Sequence, residues 1–342
     1  MFKNTKILLT GGCGTVGREL IRQFSTEHSI DQLVVLDNNE SALFSLKEKY
    51  RDRNDISFFL CDMRDADTLQ SRFKGIDLVI HTAAYKHVIL CEQSPNDAIQ
   101  TNIIGVNNVI KAAIYNNVKK VVFTSSDKAV NPTSVMGASK LMGERLISAA
   151  NIDSSQTVFA STRFGNVLGS HGSVIPLFHQ QIKQGGPVTL TDERMTRFIM
   201  SIRQSVNLVI NSIGLARGGE VFVTKMPTIS VALLARVMIE ALAPRYGYHP
   251  NDIKIVNIGS KPGEKLYEEL MTSEETRRTI ELEDYFVVKP AILSNFKKID
   301  YTYSSMIAES VSNAYNSEYE KQLTYDELLH FLEENGLLDQ ID

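Results

Sequence analysis

The fold of this 342-residue chain is set by the stretch Thr10-Gly11-Gly12-Cys13-Gly14-Thr15-Val16-Gly17. An apolar run at Lys6–Thr10 predicts a buried strand before it, and an amphipathic period predicts a helix over Val16–Phe24 after it. Glycines lack a Cβ, so backbone N–H groups and the helix N-terminus can approach a pyrophosphate closely. The stretch fits both GxxGxxG and GxGxxG spacing. It therefore predicts a dinucleotide-binding loop, with a tight structural turn as the alternative.

The same strand-to-helix rhythm continues through the first half of the chain. We predict strands at Leu33–Asp37, Ile56–Cys61, Leu78–His81, Lys119–Ser126 and Thr157–Arg163, and helices at Glu40–Tyr50, Asp97–Tyr115 and Val135–Ala150. Apolar strands that alternate with helices indicate βαβ units and a parallel sheet. Right-handed crossovers then give an α/β fold with a doubly wound parallel sheet, the Rossmann type.

The rhythm changes after about Gly165, where the chain becomes rich in Gly, Pro, Ser and Thr. Later periods predict helices at Ile202–Leu215, Val231–Leu242 and Tyr325–Asn335, with a strand at Glu220–Thr224. We therefore predict two domains. Residues 1–168 form the Rossmann domain, and residues 169–342 form a smaller substrate domain that is partly interleaved with it.

Composition narrows the class of protein. Hydrophobic residues make up 43% and charged residues 22%, with a formal net charge of −4 and no block of like charges. Three cysteines without CxxC spacing indicate neither a disulfide framework nor a metal site. No apolar run approaches the ~20 residues of a membrane helix. We expect a soluble, cytoplasmic homo-oligomer with no bound metal, no nucleic-acid partner and no membrane segment.

The second strand ends on an acidic residue, which predicts the type of cofactor. Asp37 lies 20 positions after Gly17, the spacing of a carboxylate that binds the adenosine ribose. Asn38 and Asn39 offer no cation for a 2′-phosphate, so the sequence favours NAD over NADP. Asp62 is either at the adenine edge or a helix N-cap. The predicted cofactor-contacting residues are Gly11, Gly14, Thr15, Val16, Gly17, Asp37, Asp62, Met63, Ala83, Ala84 and Lys140.

A polar stretch, Thr124-Ser125-Ser126-Asp127-Lys128-Ala129-Val130-Asn131-Pro132, follows the fifth predicted strand. Ligands of such sheets bind at this carboxyl edge. Met136 and Lys140 are four residues apart on the next helix and share one face. Here the chain resembles the extended short-chain dehydrogenase/reductase family, which usually has Tyr-x-x-x-Lys on this helix. Met136 stands in place of the tyrosine.

The combination of motifs resembles the UDP-N-acetylglucosamine 4,6-dehydratases of polysaccharide biosynthesis. These motifs are Ser126-Asp127-Lys128, Asn131-Pro132, Met136-Gly137-Ala138-Ser139-Lys140, Arg163-Phe164-Gly165-Asn166-Val167 and Met195-Thr196-Arg197-Phe198. The resemblance implies that a hydride passes from sugar C4 to NAD⁺, a base removes the C5 proton, and an acid protonates the C6 hydroxyl as water leaves. The hydride then returns to C6. The product is a UDP-4-keto-6-deoxy sugar, with no net redox change.

The resemblance also assigns catalytic roles. It implies that Asp127 is the acid and Lys128 the base; a solvated ion pair is the alternative for these two residues. We expect burial and a nearby positive charge, from Lys140 or the nicotinamide, to lower the pKa of Lys128. Ser125 or Ser126 relays the C4 hydroxyl proton, while Lys140 supplies charge and holds the nicotinamide ribose. In the resembling group, members that retain the configuration at C5 tend to carry an acidic residue in the loop after the second strand, where this chain has Asp37. The loop therefore favours retention, whereas the short chain favours inversion, and we expect retention.

The predicted substrate-contacting residues are Lys86, His87, Met136, Asn166, Ser173, Val174, Arg197 and Glu264. Arg197 is a candidate diphosphate ligand because a guanidinium binds two oxygens at once, and a surface salt bridge is its alternative role. His87 alternatively makes only a local hydrogen bond, and Met136 alternatively fills the core. Two other functions stay open for the whole chain: a nucleotide-sugar 4-epimerase and a non-catalytic NAD-binding regulator.

Overall fold

The computed structural model describes residues 2–154, 156–170, 172–259, 263–292 and 299–339. The strands, in chain order, are β1 (Lys6–Thr10), β2 (Gln32–Asp37), β3 (Ile56–Leu60), β4 (Leu78–His81), β5 (Lys120–Ser126), β6 (Val158–Phe164), β7 (Asn166–Val167), β8 (Val188–Leu190), β9 (Thr196–Met200), β10 (Val221–Thr224), β11 (Thr228–Ser230), β12 (Ile255–Asn257), β13 (Glu269–Met271), β14 (Thr279–Leu282), β15 (Tyr285–Val288), β16 (Met306–Ala308) and β17 (Tyr315–Asn316).

The helices lie mostly between the strands. The α-helices are α1 (Thr15–Thr26), α2 (Glu40–Lys49), α3 (Ala66–Arg72), α4 (Val88–Gln93), α5 (Pro95–Ile99), α6 (Gly105–Tyr115), α7 (Val135–Asp153), α8 (Val174–Lys183), α9 (Ile202–Leu215), α10 (Val231–Leu242) and α11 (Tyr325–Glu334). A π-helix spans Gln100–Ile104, and 3₁₀ turns span Asp127–Ala129, Ala243–Tyr246, Pro250–Asp252 and Glu275–Arg278.

The central sheet has the strand order β16-β14-β15-β10-β6-β5-β4-β1-β2-β3. The strands from β3 to β10 along this order are parallel, whereas β15, β14 and β16 add to the edge in antiparallel pairs. The order of the first six strands, 3-2-1-4-5-6, is that of doubly wound dinucleotide-binding folds. The predicted fold class is confirmed. The predicted boundary at residue 168 stays a prediction.

Helices on both sheet faces explain why the strands read as continuous apolar runs. In β1, Ile7 and Leu9 belong to one core cluster and Leu8 to the cluster on the opposite face. A strand buried on both faces has no polar side to alternate with. β1 lies between β2 and β4, where the strand order reverses, so the crevice for a ligand opens above its carboxyl end.

Two helical segments differ from the sequence predictions. The single helix predicted at Asp97–Tyr115 consists of α5, the π-helix and α6. The extra π turn contains Asn102, whose side chain accepts from Tyr85 N at 2.9 Å and donates to Tyr85 O at 3.0 Å. Helix α8 was missed because glycines and prolines surround it; Pro176 lies in its first turn, where no intrahelical N–H bond is lost.

A third core cluster joins the helices that follow β6. Phe178 of α8, Leu234 of α10 and Leu332 of α11 are buried within it. Within the described ranges, no helix combines the length and apolarity that crossing a membrane requires.

Candidate active site

The glycine loop is a tightly packed turn at the end of β1. Gly11 has a left-handed φ of +72°, and its N–H donates to Leu36 O at 2.8 Å. A Cβ on Gly11 would lie 2.6 Å from Ala83 N, and one on Gly17 would lie 2.3 Å from Gly11 O. Only glycine fits these two positions. The turn leaves Gly14 exposed at the start of α1, where Thr15 and Val16 form the first helical turn.

Asp37 is attached to this loop. Its Oδ2 accepts a hydrogen bond from Cys13 N at 2.8 Å, and its Oδ1 accepts from Asn39 N at 2.9 Å. The structure therefore brings the carboxylate at the end of β2 against the glycine turn, as a ribose-binding acid requires. The bond from Cys13 could not be predicted, because the spacing pattern does not specify the conformation of the loop.

Asp62 and Met63 follow β3. Asp62 pairs with Arg64 at 2.6 Å, and this guanidinium lowers the pKa of Asp62. The alternative of an N-cap at Asp62 is wrong, because Asp65 caps α3 through Thr68 N. Met63 is buried against the first turn of α6. Contact of Asp62 or Met63 with an adenine stays a prediction.

The π-helix fixes the residues after β4 by hydrogen bonds from Asn102. Ala83 and Ala84 are half-buried and precede Tyr85, whose backbone is bound by Asn102. Asn102 also donates to Ser139 Oγ at 2.9 Å, which links this loop to α7. The loop that approaches the glycine turn is thus fixed to the helix that carries Lys140.

Asp127 and Lys128 lie in the 3₁₀ turn directly after β5. Asp127 is only 1% exposed, and its Oδ1 accepts from Ser126 Oγ at 2.7 Å. Lys128 Nζ lies 3.1 Å from Asp127 Oδ1 and 3.5 Å from Asn166 Oδ1. The predicted motif Ser126-Asp127-Lys128 and the separately predicted Asn166 therefore form one contact group. The alternative of a solvated loop ion pair is wrong for Asp127, since its carboxylate is buried.

The sequence predictions missed one member of this group, Glu268. Its side chain is buried, with Oε1 3.6 Å from Lys128 Nζ and 3.8 Å from Arg197 Nε. Glu268 N donates to Ser317 Oγ at 2.9 Å, which fixes the backbone at this point. The nearest residue that the sequence analysis singled out is Glu264, four positions before Glu268 in the same loop. No spacing pattern distinguishes Glu268 from the other acidic residues there, because only tertiary folding brings it to Lys128.

These carboxylates correct the prediction for Lys128. Burial disfavours its ammonium form, but the charges of Asp127 and Glu268 outweigh burial and raise the pKa of Lys128. The predicted lowering is wrong because the close charges are negative, with Arg197 a smaller opposing influence. Burial also raises the pKa of Glu268.

Lys140, on α7 beside the end of β5, has a lowered pKa. Its Nζ donates to Thr124 O at 2.9 Å and lies 4.7 Å from the centre of the Phe123 ring. Burial lowers the pKa of Lys140 to about 8. Ser125, on the same strand end, is buried, and its Oγ has no hydrogen-bond partner within the described part of the chain.

Met136 fills space. It is buried in a small cluster with Cys91 and Ala98, with Val88 and Val135 packed around it. This packing supports the core-filling alternative. A contact of Met136 with a sugar stays a prediction.

Several predicted substrate residues lie side by side. A Cβ on Gly172 would be 2.9 Å from His87 Cε1, so the segment before α8 contacts the segment after β4. Ser173 is the N-cap of α8, and its buried Oγ has no hydrogen-bond partner among the residues that the structure describes. Val174 begins the helix. Burial lowers the pKa of both Lys86 and His87.

Arg197 links β9 to the loop that carries Glu264. Its guanidinium donates to Thr196 O at 2.7 Å, to Lys265 O at 2.9 Å and to Leu266 O at 3.1 Å. Its side chain is 12% exposed, so it is no surface salt bridge. Glu264 itself is exposed. Binding of a diphosphate by Arg197 stays a prediction, as does substrate contact by Glu264. In the described ranges, no three His, Cys, Asp or Glu side chains converge as metal ligands.

Comparison with known proteins shows which proteins this chain is similar to. The family described as "Polysaccharide biosynthesis protein" matches residues 7–290. An uncharacterized membrane protein of Methanocaldococcus jannaschii is 46% identical over 95% of this chain and 97% of its own. A Campylobacter jejuni protein named UDP-N-acetylglucosamine 4,6-dehydratase (inverting) is 36% identical over 90% of this chain and 89% of its own.

Other similar proteins carry different names. A Rickettsia canadensis protein named UDP-glucose 4-epimerase is 37% identical over 84% of this chain and 83% of its own. Among solved structures, Pen from Bacillus thuringiensis superposes with a TM-score of 0.90 and 41% identity, covering 98% of this chain and 99% of that one.

Proposed function

Because this chain belongs to the polysaccharide biosynthesis proteins of the extended short-chain dehydrogenase/reductase family, we propose that it is a UDP-N-acetylglucosamine 4,6-dehydratase. The family's enzymes are nucleotide-sugar dehydratases and epimerases. The observation that carries the finer assignment is the buried contact of Lys128 Nζ with Asp127 Oδ1 at 3.1 Å. In this proposal Lys128 is the base and Asp127 the acid, and the two side chains lie together at the carboxyl edge of β5.

NAD is the cofactor of this proposal. The glycine turn and the N-terminus of α1 would hold its pyrophosphate, and Asp37 its adenosine ribose. When bound, NAD⁺ supplies the acceptor for the C4 hydride and returns it to C6. The Asp37 carboxylate accepts a hydrogen bond from the Cys13 backbone N–H, and its negative charge would repel a 2′-phosphate. The remaining cofactor contacts proposed here are Thr15, Val16, Asp62, Met63, Ala83, Ala84 and Lys140.

The chemistry after C4 oxidation falls to the cluster around Lys128. We assign the removal of the C5 proton to Lys128 Nζ and the protonation of the C6 hydroxyl to Asp127. A positioned acid and a positioned base each contribute about 10²–10⁴-fold to a rate. Ser125 Oγ, buried and without a partner among the described residues, is the candidate relay for the C4 hydroxyl proton beside Lys140.

We propose inversion at C5, in place of the retention that the sequence favoured. The Campylobacter jejuni relatives carry the word inverting in their names. Reduction of the C4 ketone of the product gives an alcohol that carries H4. The NMR coupling constant between H4 and H5 then distinguishes inversion from retention at C5.

A 4-epimerase is the second candidate, supported by the names of the Rickettsia relatives. Met136 argues against it, because its thioether cannot act as a base where this enzyme family usually has a tyrosine. Incubation of the purified protein with a panel of UDP- and GDP-sugars, followed by mass spectrometry, tests the proposal. Loss of one water from UDP-N-acetylglucosamine supports it, and an isomer of unchanged mass overturns it. Retained NAD with no turnover of any sugar would favour a regulator.

A further inference from the structure

Glu268 is a buried acid that no sequence motif explains. Glu268 is only 3% exposed, and its Oε2 atom has no hydrogen-bond partner within the described ranges. Asp127 Oδ2 is likewise buried and has no hydrogen-bond partner there. Buried carboxylate oxygens that lack a donor are costly unless they serve a purpose. The other oxygen of each carboxylate, Asp127 Oδ1 or Glu268 Oε1, contacts the same ammonium group, that of Lys128.

The charges around Glu268 come from several elements. Asp127 and Lys128 face it from the 3₁₀ turn after β5, and Arg197 faces it from β9, with Lys265 nearby in its own loop. Arg197 is held by three backbone carbonyl bonds and cannot lose its proton. Lys128 and the two carboxylates are therefore the groups among which a proton can move.

The proposed reaction creates a need for such movement. Lys128 must be an uncharged amine when it takes the C5 proton, yet two carboxylates hold it as an ammonium. Substrate would cover the 30% of its side chain that is exposed and remove water as a proton acceptor. Removal of water also favours a neutral amine and carboxylic acid over a buried ion pair.

We propose that Glu268 accepts a proton from Lys128 and so prepares the base for the C5 step. One N–H bond of Nζ breaks and one O–H bond forms on the carboxylate; no electrons change hands. Lys128 then takes the C5 proton. The proton on Glu268 passes to Asp127, which gives it to the C6 oxygen as the C6–O bond breaks and water leaves, and the cluster returns to its starting charges. This inference rests on the dehydratase function proposed above.

The decisive variant is Glu268→Gln, which keeps the shape of the side chain but cannot accept a proton. Two rates are measured across pH: deuterium incorporation at C5 from D₂O, and loss of water. At neutral pH we expect both to fall about 100-fold, the contribution of one positioned proton acceptor, with KM changed less than about threefold. The rates of this variant should rise about tenfold per pH unit, since solvent must now deprotonate Lys128, whereas the wild-type rates stay flat.

The matched control is Glu269→Gln. Glu269 is the next residue, but its carboxylate contacts Lys265 at 3.8 Å and Asn131 at 3.0 Å, away from Lys128. We expect its rates and pH profile to follow the wild type. A Glu268→Gln protein with wild-type rates, or with a uniformly lower rate and a flat pH profile, would overturn the role of Glu268 as a proton acceptor.

The midpoint of thermal unfolding shows whether Glu268→Gln folds. A second variant, Glu268→Asp, tests the proposal if Glu268→Gln does not fold. Glu268→Asp keeps a carboxylate, so it should keep the flat pH profile at a reduced rate. A rate that rises with pH in this variant would contradict the proposal. The wild-type protein is run in parallel: if it releases no water from UDP-N-acetylglucosamine, the dehydratase function falls and this inference with it. An active wild type beside an unaffected Glu268→Gln refutes the inference alone.

Discussion

Lys140 Nζ donates a 2.9 Å hydrogen bond to Thr124 O, and this bond links α7 to the end of β5, next to the turn of Asp127 and Lys128. Lys140 is only 6% exposed, and its ammonium group lies over the face of the Phe123 ring. Burial shifts its titration towards neutral pH, so this lysine combines a structural position with a charge that changes in the working range of an enzyme.

The first prediction concerns the stability that Lys140 contributes at different pH values. Burial lowers its pKa to about 8, against about 10.4 in the unfolded chain. Between these values the unfolded state binds more protons, so the free energy of unfolding contributed by this group rises with pH. Lys140→Met should abolish that rise. Urea unfolding of both proteins at several pH values measures it, and parallel curves for the two proteins would contradict the assignment.

The second prediction separates the acid from the base. Lys128→Ala should abolish C5 exchange with solvent deuterium, because the group that takes the proton is gone. Asp127→Asn should still bind UDP-N-acetylglucosamine but slow water loss by about 10²–10⁴-fold. Exchange is followed by mass spectrometry and binding by calorimetry. An exchanging Lys128→Ala protein would reverse the roles assigned here.

The third prediction compares two glycines of the same turn. A Cβ on Gly14 would meet only Gly11 O, at 3.3 Å, whereas one on Gly17 would overlap Gly11 and Gly12 backbone atoms at 2.3–2.9 Å. Gly14→Ala should therefore fold and lose affinity for NAD, since its methyl group would occupy space at the N-terminus of α1, where we propose that the pyrophosphate binds. Gly17→Ala should lower the midpoint of thermal unfolding as well. Equal NAD affinity in wild type and Gly14→Ala would show that the pyrophosphate lies elsewhere.

The fourth prediction concerns acid stability and a buried ion triad. Arg163 contacts Glu144 at 2.8 Å and Glu275 at 2.8 Å, and all three side chains are buried. Burial alone would raise the pKa of Glu275, but Arg163 outweighs it and lowers the pKa to about 2. The stabilisation is present above the unfolded pKa of about 4.3 and is lost as pH falls towards 2. Glu275→Gln should flatten this dependence; an unchanged acid slope of unfolding free energy would contradict it.

The features predicted correctly from sequence are those encoded locally. The glycine turn, the strand ends at Asp37 and Ser126, and helices such as Ile202–Leu215 follow from periodicity and from residues close together in the chain. The parallel sheet follows because consecutive strands and helices alternate. The turn of Asp127 and Lys128 could be placed at the sheet edge for the same reason.

What failed depends on contacts between distant segments. Glu268 lies next to Lys128 because two hydrogen bonds position its loop. Arg197 of β9 donates to Lys265 O, and Ser317, which follows β17, accepts from Glu268 N. Once Glu268 is there, the sign of the pKa shift at Lys128 reverses, which no reading of neighbouring residues could provide. The π turn at Asn102 likewise exists to bind the Tyr85 backbone, and helical periodicity does not reveal it.

The most direct test of the dehydratase assignment uses UDP-N-acetylglucosamine with deuterium at C4 and no added cofactor beyond catalytic NAD. The account predicts a product lighter by one water that keeps the deuterium, now on C6, because the hydride removed from C4 returns there. Mass spectrometry with fragmentation of the sugar locates the label. An isomer of unchanged mass with deuterium still at C4, or loss of the label into free reduced cofactor, would contradict the central claim.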